Sequence, residues 1–318
     1  MARRARAWLR RAPRPAILMY HRIAAEAFDP WGLAVSPDQF RAQMEWLARK
    51  RTVLGLEEFA RRQREGTLPS DAVAVTFDDG YACSAQLAGP LLRRIGIPAT
   101  VFVSPELIER GEEFWWDELA RIVLDHPEPE MDAAGERVVL GRRLEEDGNW
   151  FPGTPPRTDR QRALLRIWGR LRALEAAELS RSMDELRARS GGARPPRDSH
   201  RPMSASEARS LFASGVDVGS HGLTHESLPR LPAARKEHEL RDSRDRCEAL
   251  AGRRPQGFAY PFGDSDEESE RLAEEAGYGC ACTTQQAAVG PQSRIFALPR
   301  LAVGNWTPAQ LRRNLALM

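Results

Sequence analysis

Apolar positions along the chain fall into short runs, each followed by a longer stretch in which apolar residues recur every three or four positions. Compact runs bounded by polar or turn residues read as buried strands, and the recurring pattern reads as helices packed by one face. The first run is "AILMYHRI" (Ala16–Ile23). Further strand signals are "VAVTF" (Val73–Phe77), "ATVFVS" (Ala99–Ser104), "VDVGS" (Val216–Ser220), "GFAYPF" (Gly257–Phe262), "GCACTT" (Gly279–Thr284) and "ALPRLAV" (Ala297–Val303). Helical patterns lie between most of them. Ser36-Pro37 reads as an N-cap with proline in the first turn, opening "DQFRAQMEWLARK". "SAQLAGPLLRRIG" (Ser84–Gly96) reads as a helix broken at Gly89-Pro90, and Ala233–Leu250 and Asp266–Ala276 follow.

Steady alternation of strand and helix predicts an α/β protein with a parallel sheet under covering helices. Seven or so strands predict a closed or nearly closed barrel, in which chemistry gathers at the carboxyl ends of the strands. One segment breaks the rhythm. From about residue 111 to 201 strand signals are few, the middle (Asn149–Arg160) is polar and proline-rich, and "RALLRIWGRLRALEAAELSRSMDELRARS" (Arg162–Ser190) is helical in pattern. It is expected to be a helical insertion between two barrel strands, within a barrel spanning residues 16–318, and not an independent domain.

Composition narrows the function. The 318 residues are 42% hydrophobic and 29% charged, with a net charge of +2, which argues against a nucleic-acid binder. Four cysteines in a chain of this length make no disulfide framework, and Cys280-Ala-Cys282 lacks zinc-knuckle spacing, so all four are expected to be structural. No apolar run is long enough to span a membrane. Residues 1–15 form a basic tail with six arginines in the first fourteen positions and no apolar core, so a secretory signal is not expected. The expected location is cytoplasmic. The tail is read as solvated, or as a peripheral contact with the inner membrane face through Trp8 and Leu9.

Three short motifs stand at strand ends: Thr76-Phe77-Asp78-Asp79-Gly80, Ser220-His221-Gly222-Leu223-Thr224-His225, and Tyr260-Pro261-Phe262-Gly263. Side chains alternate across a strand, so two adjacent carboxylates at its end point in different directions. If the second motif turns helically, His221 and His225 share a face and can grip one ion. Two imidazoles and a carboxylate would make a three-ligand site with positions open to water and substrate.

These residues resemble the polysaccharide deacetylases of carbohydrate esterase family 4, whose core is the NodB homology domain. "TFDDG" is the most specific motif and "HGLTH" is similar to the family's H-x-x-x-H element. The resemblance covers about 16–305 less the insertion. It implies a distorted (β/α)7-type barrel and a hydrolase that removes acetyl groups from N-acetylated sugars in a polysaccharide, lipid-linked glycan or sugar intermediate. It implies one divalent metal ion on Asp79, His221 and His225. Zinc is the first expectation, with cobalt, nickel or iron as alternatives. Asp78, beside the ion, would be the general base, and the backbone N–H of Phe262 a donor to the oxyanion. His21 resembles the general-acid histidine of members with an N-terminal "YH" strand.

Departures from the family pattern are visible too. Ala259 stands where the third motif has an arginine that steadies the base, and Arg300 is the expected substitute. No clear match to the fourth, aspartate-tryptophan motif is present. Trp115 and Trp116 could stack on a sugar or could pin the insertion in place, and Tyr260 and Pro261 are expected at the substrate. A metal-dependent amidase acting on a non-sugar amide or cyclic imide is the alternative activity. A carbohydrate-binding protein without catalysis is the alternative of a different class. The sequence carries no signal of oligomeric state.

Overall fold

The computed structural model describes residues 12–26, 29–133, 135–148, 150, 154–192 and 194–318. Trp8, Leu9 and most of the basic tail lie outside the described residues. Two compact units are present, one of residues 12–25, 34–111 and 202–318, the other of 26–33 and 112–201.

The first unit is built on one parallel sheet. Its strands are β1 (Ala16–Tyr20), β2 (Thr52–Val53), β3 (Ala72–Phe77), β4 (Thr100–Val103), β5 (Asp217–Ser220), β6 (Gly257–Ala259), β7 (Cys280–Cys282) and β8 (Leu301–Ala302). Seven of them run in the order β7-β6-β5-β4-β3-β1-β8, and β2 pairs with β3 off this path. The sheet curls into a distorted (β/α)7 barrel. Its ends meet in one segment, where Leu298 bridges Cys282 of β7 and Leu301 pairs with Leu18 of β1.

β1 and β3 are buried at every position, which is why their sequences are apolar runs, broken only at Thr76, and not alternating ones. Their register pairs Ala16 with Val73 and Tyr20 with Phe77, so both strands stop at the same level. The ladder then runs one residue further at each of three strand ends. Asp78 N–H donates to Tyr20 O (2.9 Å), His221 N–H to Val103 O (2.9 Å) and Tyr260 N–H to Cys282 O (3.1 Å). In each chemical motif the first residue beyond the strand is thereby fixed by the sheet itself.

Every predicted strand of the barrel is present, and the helix opened by Ser36 and Pro37 spans Pro37–Lys50. β2 escapes the pattern because two residues carry no periodicity. The expected break at Gly89-Pro90 is a change of winding instead. A π-helical turn, Ser84–Ala88, runs into an α-helix, Gly89–Ile95, whose first turn tolerates a proline that has no N–H to donate. All four cysteines are buried and free. No helix among the described residues is long and apolar enough to cross a membrane.

The second unit has a core of its own. Helices Trp115–Leu124, Asp159–Leu171 and Ala176–Arg189 pack around Leu119, Val123, Leu164, Ile167 and Leu171. An antiparallel hairpin, Glu130–Ala133 with Glu136–Val139, completes it, so the segment is not purely helical as its sequence suggests. Arg160, fully buried, donates to Val123 O (3.1 Å) and His126 O (2.8 Å), capping the carbonyls at the end of the first of these helices. His126 and His200 are buried in this unit.

Candidate metal and catalytic centre

Three loops leave the carboxyl ends of β3, β5 and β6, and each contains one residue other than glycine in the left-handed backbone region. Asp79 (φ 68°), His225 (φ 65°) and Phe262 (φ 61°) are the three non-glycine residues with positive φ among the described residues. Such a conformation costs about 1–3 kcal/mol per residue and persists where the surroundings over-determine it. Its confinement to these three motifs marks the place where geometry has been given precedence over stability.

Asp79 turns away from β3 and meets the two histidines. Its Oδ1 lies 3.4 Å from His221 Nε2 and 3.3 Å from His225 Nε2. The ligand atoms of the three residues all fall within 4.8 Å of one another, and all three residues are buried. Gly80 makes the turn possible. It has φ 77°, and a Cβ there would come within 2.8 Å of Val103 Cγ1.

The histidines converge through a loop and not through the helical turn that their spacing suggests. Gly222 (φ 74°) and His225 reverse the chain, bringing the two rings to 4.8 Å between centroids. His221 Nδ1 lies 2.7 Å from Ala259 O, an acceptor only, so that nitrogen carries a proton and Nε2, on the side of Asp79, is the nitrogen that could ligate an ion. Ala259 thus contributes its carbonyl at the position where the resemblance places an arginine side chain.

Burial pushes the Asp79 carboxyl up, but hydrogen bonds from both imidazoles outweigh it and hold the group well below the usual carboxylate range. Burial pushes His221 down, and Asp79 and Asp78 more than reverse this, raising it. His225 stays lowered, because burial and the neighbouring His221 charge exceed the pull of Asp79. A carboxylate and two imidazoles, one with its tautomer fixed by a backbone carbonyl, suit a divalent metal ion.

Asp78 points elsewhere. Its two oxygens accept from Arg300 in a bidentate pair, Oδ1 from Nη1 at 2.6 Å and Oδ2 from Nη2 at 2.7 Å. Both side chains are buried, Arg300 completely. The guanidinium is itself oriented by Nε–H to Thr283 O (2.9 Å) and by Thr76 Oγ1 at 3.3 Å from Nη1, and that hydroxyl donates to Leu18 O (2.7 Å). Burial pushes the Asp78 carboxyl up, and the charge of Arg300, then those of His221 and His21, bring it below its ordinary value. His21, one residue beyond β1 and half-buried, also helps to lower Asp79. The chain therefore brings together Asp78, Asp79, His221, His225, Arg300 and His21.

Other expected site residues stand differently. Phe262 lies in the turn Pro261–Gly263, with its ring edge-on to His225 at 4.7 Å. Tyr260 is fully buried, with its hydroxyl donating to Phe296 O (2.9 Å), and Pro261 is buried beside it. Tyr260 supports the turn from within the core and is corrected from a substrate contact to a structural residue. Trp116 is only 5% exposed and stacks on Phe114 at 4.9 Å, which of its two expected roles favours packing within the insertion over sugar stacking. Trp115, half-buried, meets Trp116 edge-on at 5.7 Å in the same unit. His238, on the helix Ala233–Ala251, pairs with Asp242 at the surface. Sequence reasoning missed Glu239, whose buried carboxylate binds the loop between the two histidines.

A family model described as polysaccharide deacetylase matches residues 65–127 and 183–281. A Bacillus subtilis protein named "Putative polysaccharide deacetylase YxkH" is 21% identical over 302 residues, 93% of this chain and 75% of that one. Poly-beta-1,6-N-acetyl-D-glucosamine N-deacetylase of Staphylococcus aureus is 35% identical over 71 residues, 22% of this chain and 24% of that protein. Among solved structures, Streptococcus pyogenes deacetylase PplD in complex with acetate aligns with a TM-score of 0.62 at 18% identity, over 95% of this chain and 99% of that one. IcaB from Ammonifex degensii aligns with a TM-score of 0.54 at 17% identity, over 96% and 97% of the two chains. At these identities the structural likeness shows the fold.

Proposed function

The chain belongs to the polysaccharide deacetylase family, and from that premise we propose that it hydrolyses the acetyl group of an N-acetylated sugar, as a metal-dependent N-deacetylase. The observation that carries this reading is one: the Asp79–His221–His225 cluster stands beside the Asp78–Arg300 pair. One acid would face an ion, and the other is held by Arg300 beside that place.

A divalent ion held by Asp79, His221 and His225 would supply Lewis acidity, polarising the acetyl carbonyl and making water a better nucleophile at neutral pH. Asp78 accepts the proton of the attacking water. Its lone pairs are oriented by Arg300, which takes the part of the arginine absent at position 259. The N–H of Phe262, on a turn forced into the left-handed region, donates to the oxyanion of the tetrahedral intermediate. His21, which follows β1 as Asp78 follows the neighbouring β3, donates a proton to the departing amine. The C–N bond then breaks to give acetate and the free amino sugar. The substrate is an N-acetylated hexosamine in a polymer, a lipid-linked glycan or a soluble precursor. The poly-N-acetylglucosamine activity named for the staphylococcal relatives makes the polymer the first to assay.

Two substitutions and a substrate panel test this. Asp78→Asn should abolish acetate release while leaving the protein's metal content near wild type, and Asp79→Asn should lose metal as well. N-acetylglucosamine oligomers should outpace small acylamides and cyclic imides as substrates. Substantial turnover by Asp78→Asn, or a preference for the imides, defeats the proposal.

A further inference from the structure

The backbone N–H groups in the middle of the loop carrying the two histidines are both taken by one carboxylate, while the Leu223 carbonyl accepts from Glu106 N–H (3.3 Å) and the Thr224 hydroxyl also lies 2.8 Å from Glu226 Oε2. Glu239 is fully buried on the helix Ala233–Ala251. Its Oε2 accepts from the N–H groups of Leu223 (2.7 Å) and Thr224 (3.0 Å), and its Oε1 lies 2.8 Å from the Thr224 hydroxyl. Carboxylate and backbone approach closely here: a Cβ at Gly222 would stand 3.1 Å from Oε2. The helix beneath is anchored in turn, since Ser243 and Ser220 share a hydroxyl hydrogen bond of 2.7 Å beside β5.

The two histidines are thus held by different means. His221 is fixed by the sheet ladder and by Ala259 O. His225 ends a loop of four residues in which Gly222 and His225 itself adopt positive φ. Nothing in the sheet fixes residues 223 and 224. Their N–H groups are taken up by Glu239, and without it the buried Leu223 donor would seek another acceptor, at about 1–3 kcal/mol, and the partly buried Thr224 donor would turn to water or another acceptor. The loop would relax toward these acceptors, and His225 would move with it.

We propose that Glu239 is a positioning residue of the metal centre, which keeps His225 Nε2 within reach of the ion by holding the Leu223 and Thr224 amides. This rests on reading Asp79, His221 and His225 as metal ligands. The role needs acceptors in the right place more than it needs charge. A glutamine can accept both N–H groups at its amide oxygen and turn its amide nitrogen to the Thr224 hydroxyl.

The test is zinc affinity, measured on the full-length protein by competition with a chromogenic chelator, with urea unfolding in parallel. Glu239→Ala should weaken zinc binding about 10- to 100-fold, the range seen when support behind a metal ligand is removed. Glu239→Gln should stay within about threefold of wild type. Leu240→Ala, a core truncation on the same helix away from the loop, should destabilise the fold without a comparable loss of affinity. If Glu239→Ala does not fold, Glu239→Asp, which retracts the carboxylate by one methylene, takes its place with the same expectation. The cobalt-loaded variant should show an altered visible spectrum, which a merely structural role would not produce. Unchanged affinity in Glu239→Ala, while His225→Ala loses it, overturns the positioning role alone. Unchanged affinity in both His221→Ala and His225→Ala overturns the metal reading and this inference with it.

Discussion

Replacing Arg300 by methionine removes the cation that pairs with Asp78 while leaving a side chain of similar length in the space. Arg300 is 0% exposed and Asp78 2% exposed, so bulk water makes up little of the lost partner. Breaking a buried ion pair from one side costs about 3–5 kcal/mol, because the remaining charge is left uncompensated. The sign of the pH dependence follows from the directions. In the wild type the Asp78 carboxyl lies below 3.8, so its stabilisation is present above that value and is lost as pH falls through the folded one. Without Arg300 burial prevails and the carboxyl rises, so ionising it now costs stability as pH increases. The difference between wild type and Arg300→Met should therefore be largest at neutral pH and shrink below about pH 4. Urea unfolding in the presence of a chelator, at both pH values, measures it. In the same variant a base that is protonated or turned aside should lower kcat/KM by about 10²–10⁴. In an Asp78→Asn background, Arg300→Met should cost less than it does alone. A loss under about 1 kcal/mol at neutral pH, with kcat/KM within tenfold of wild type, would refute the argument that Arg300 steadies the base.

Three further outcomes are expected. His21→Gln should slow hydrolysis of an N-acetyl sugar about 10²- to 10⁴-fold with metal content unchanged, yet spare an activated phenyl acetate whose leaving group needs no proton. Equal losses on both substrates would remove His21 from the acid role. Gly80→Ala should lower the unfolding free energy by about 1–3 kcal/mol, since φ 77° and the 2.8 Å approach to Val103 both oppose a side chain. A melting temperature equal to wild type would contradict this. Trp116→Ala should cost about 3–5 kcal/mol through its buried contact with Phe114, with KM for an acetylated oligosaccharide little changed. A raised KM at wild-type stability would return Trp116 to the substrate.

What was legible in the sequence was whatever buried apolar side chains write plainly. β1 and β3 to β8 could be read as runs, and the acid pair and paired histidines stood at their ends. Residues that act from within polar patterns were harder to see. Along the helix Ala233–Ala251 the buried positions are Lys236, Glu239, Leu240, Ser243, Arg244 and Cys247. Their spacing is that of a packed helical face, but its letters are mostly polar, so hydropathy reads the helix as solvated and conceals Glu239. Each of these polar groups is buried because it has a partner: Lys236 meets Asp266 at 2.8 Å, and Arg244 donates to Ala276 O at 2.7 Å. Arg300 could be placed on a late strand by pattern, but its bidentate reach to Asp78 depends on the sheet curling until β8 lies beside β1. The hairpin in the insertion was hidden by short, charged strands such as "EMDA" and "ERVV". The loop path of the histidines depended on two left-handed residues that spacing alone does not reveal.

The seam between β7 and β8 has a consequence for how the protein comes to be active. Asp78 and Arg300 are 222 residues apart, and Arg300 enters on the segment that draws the two edges of the sheet together. During synthesis or refolding, β1, β3 and β4 can pair well before that segment arrives, because their contacts span shorter stretches of chain. Until it docks, the end of β3 carries a carboxylate that it cannot afford to bury, and that corner must stay hydrated. Catalytic competence should then emerge together with the most non-local contact of the sheet, late in refolding and in step with edge closure. A species with its helices formed and most of its strands paired would still turn over no substrate.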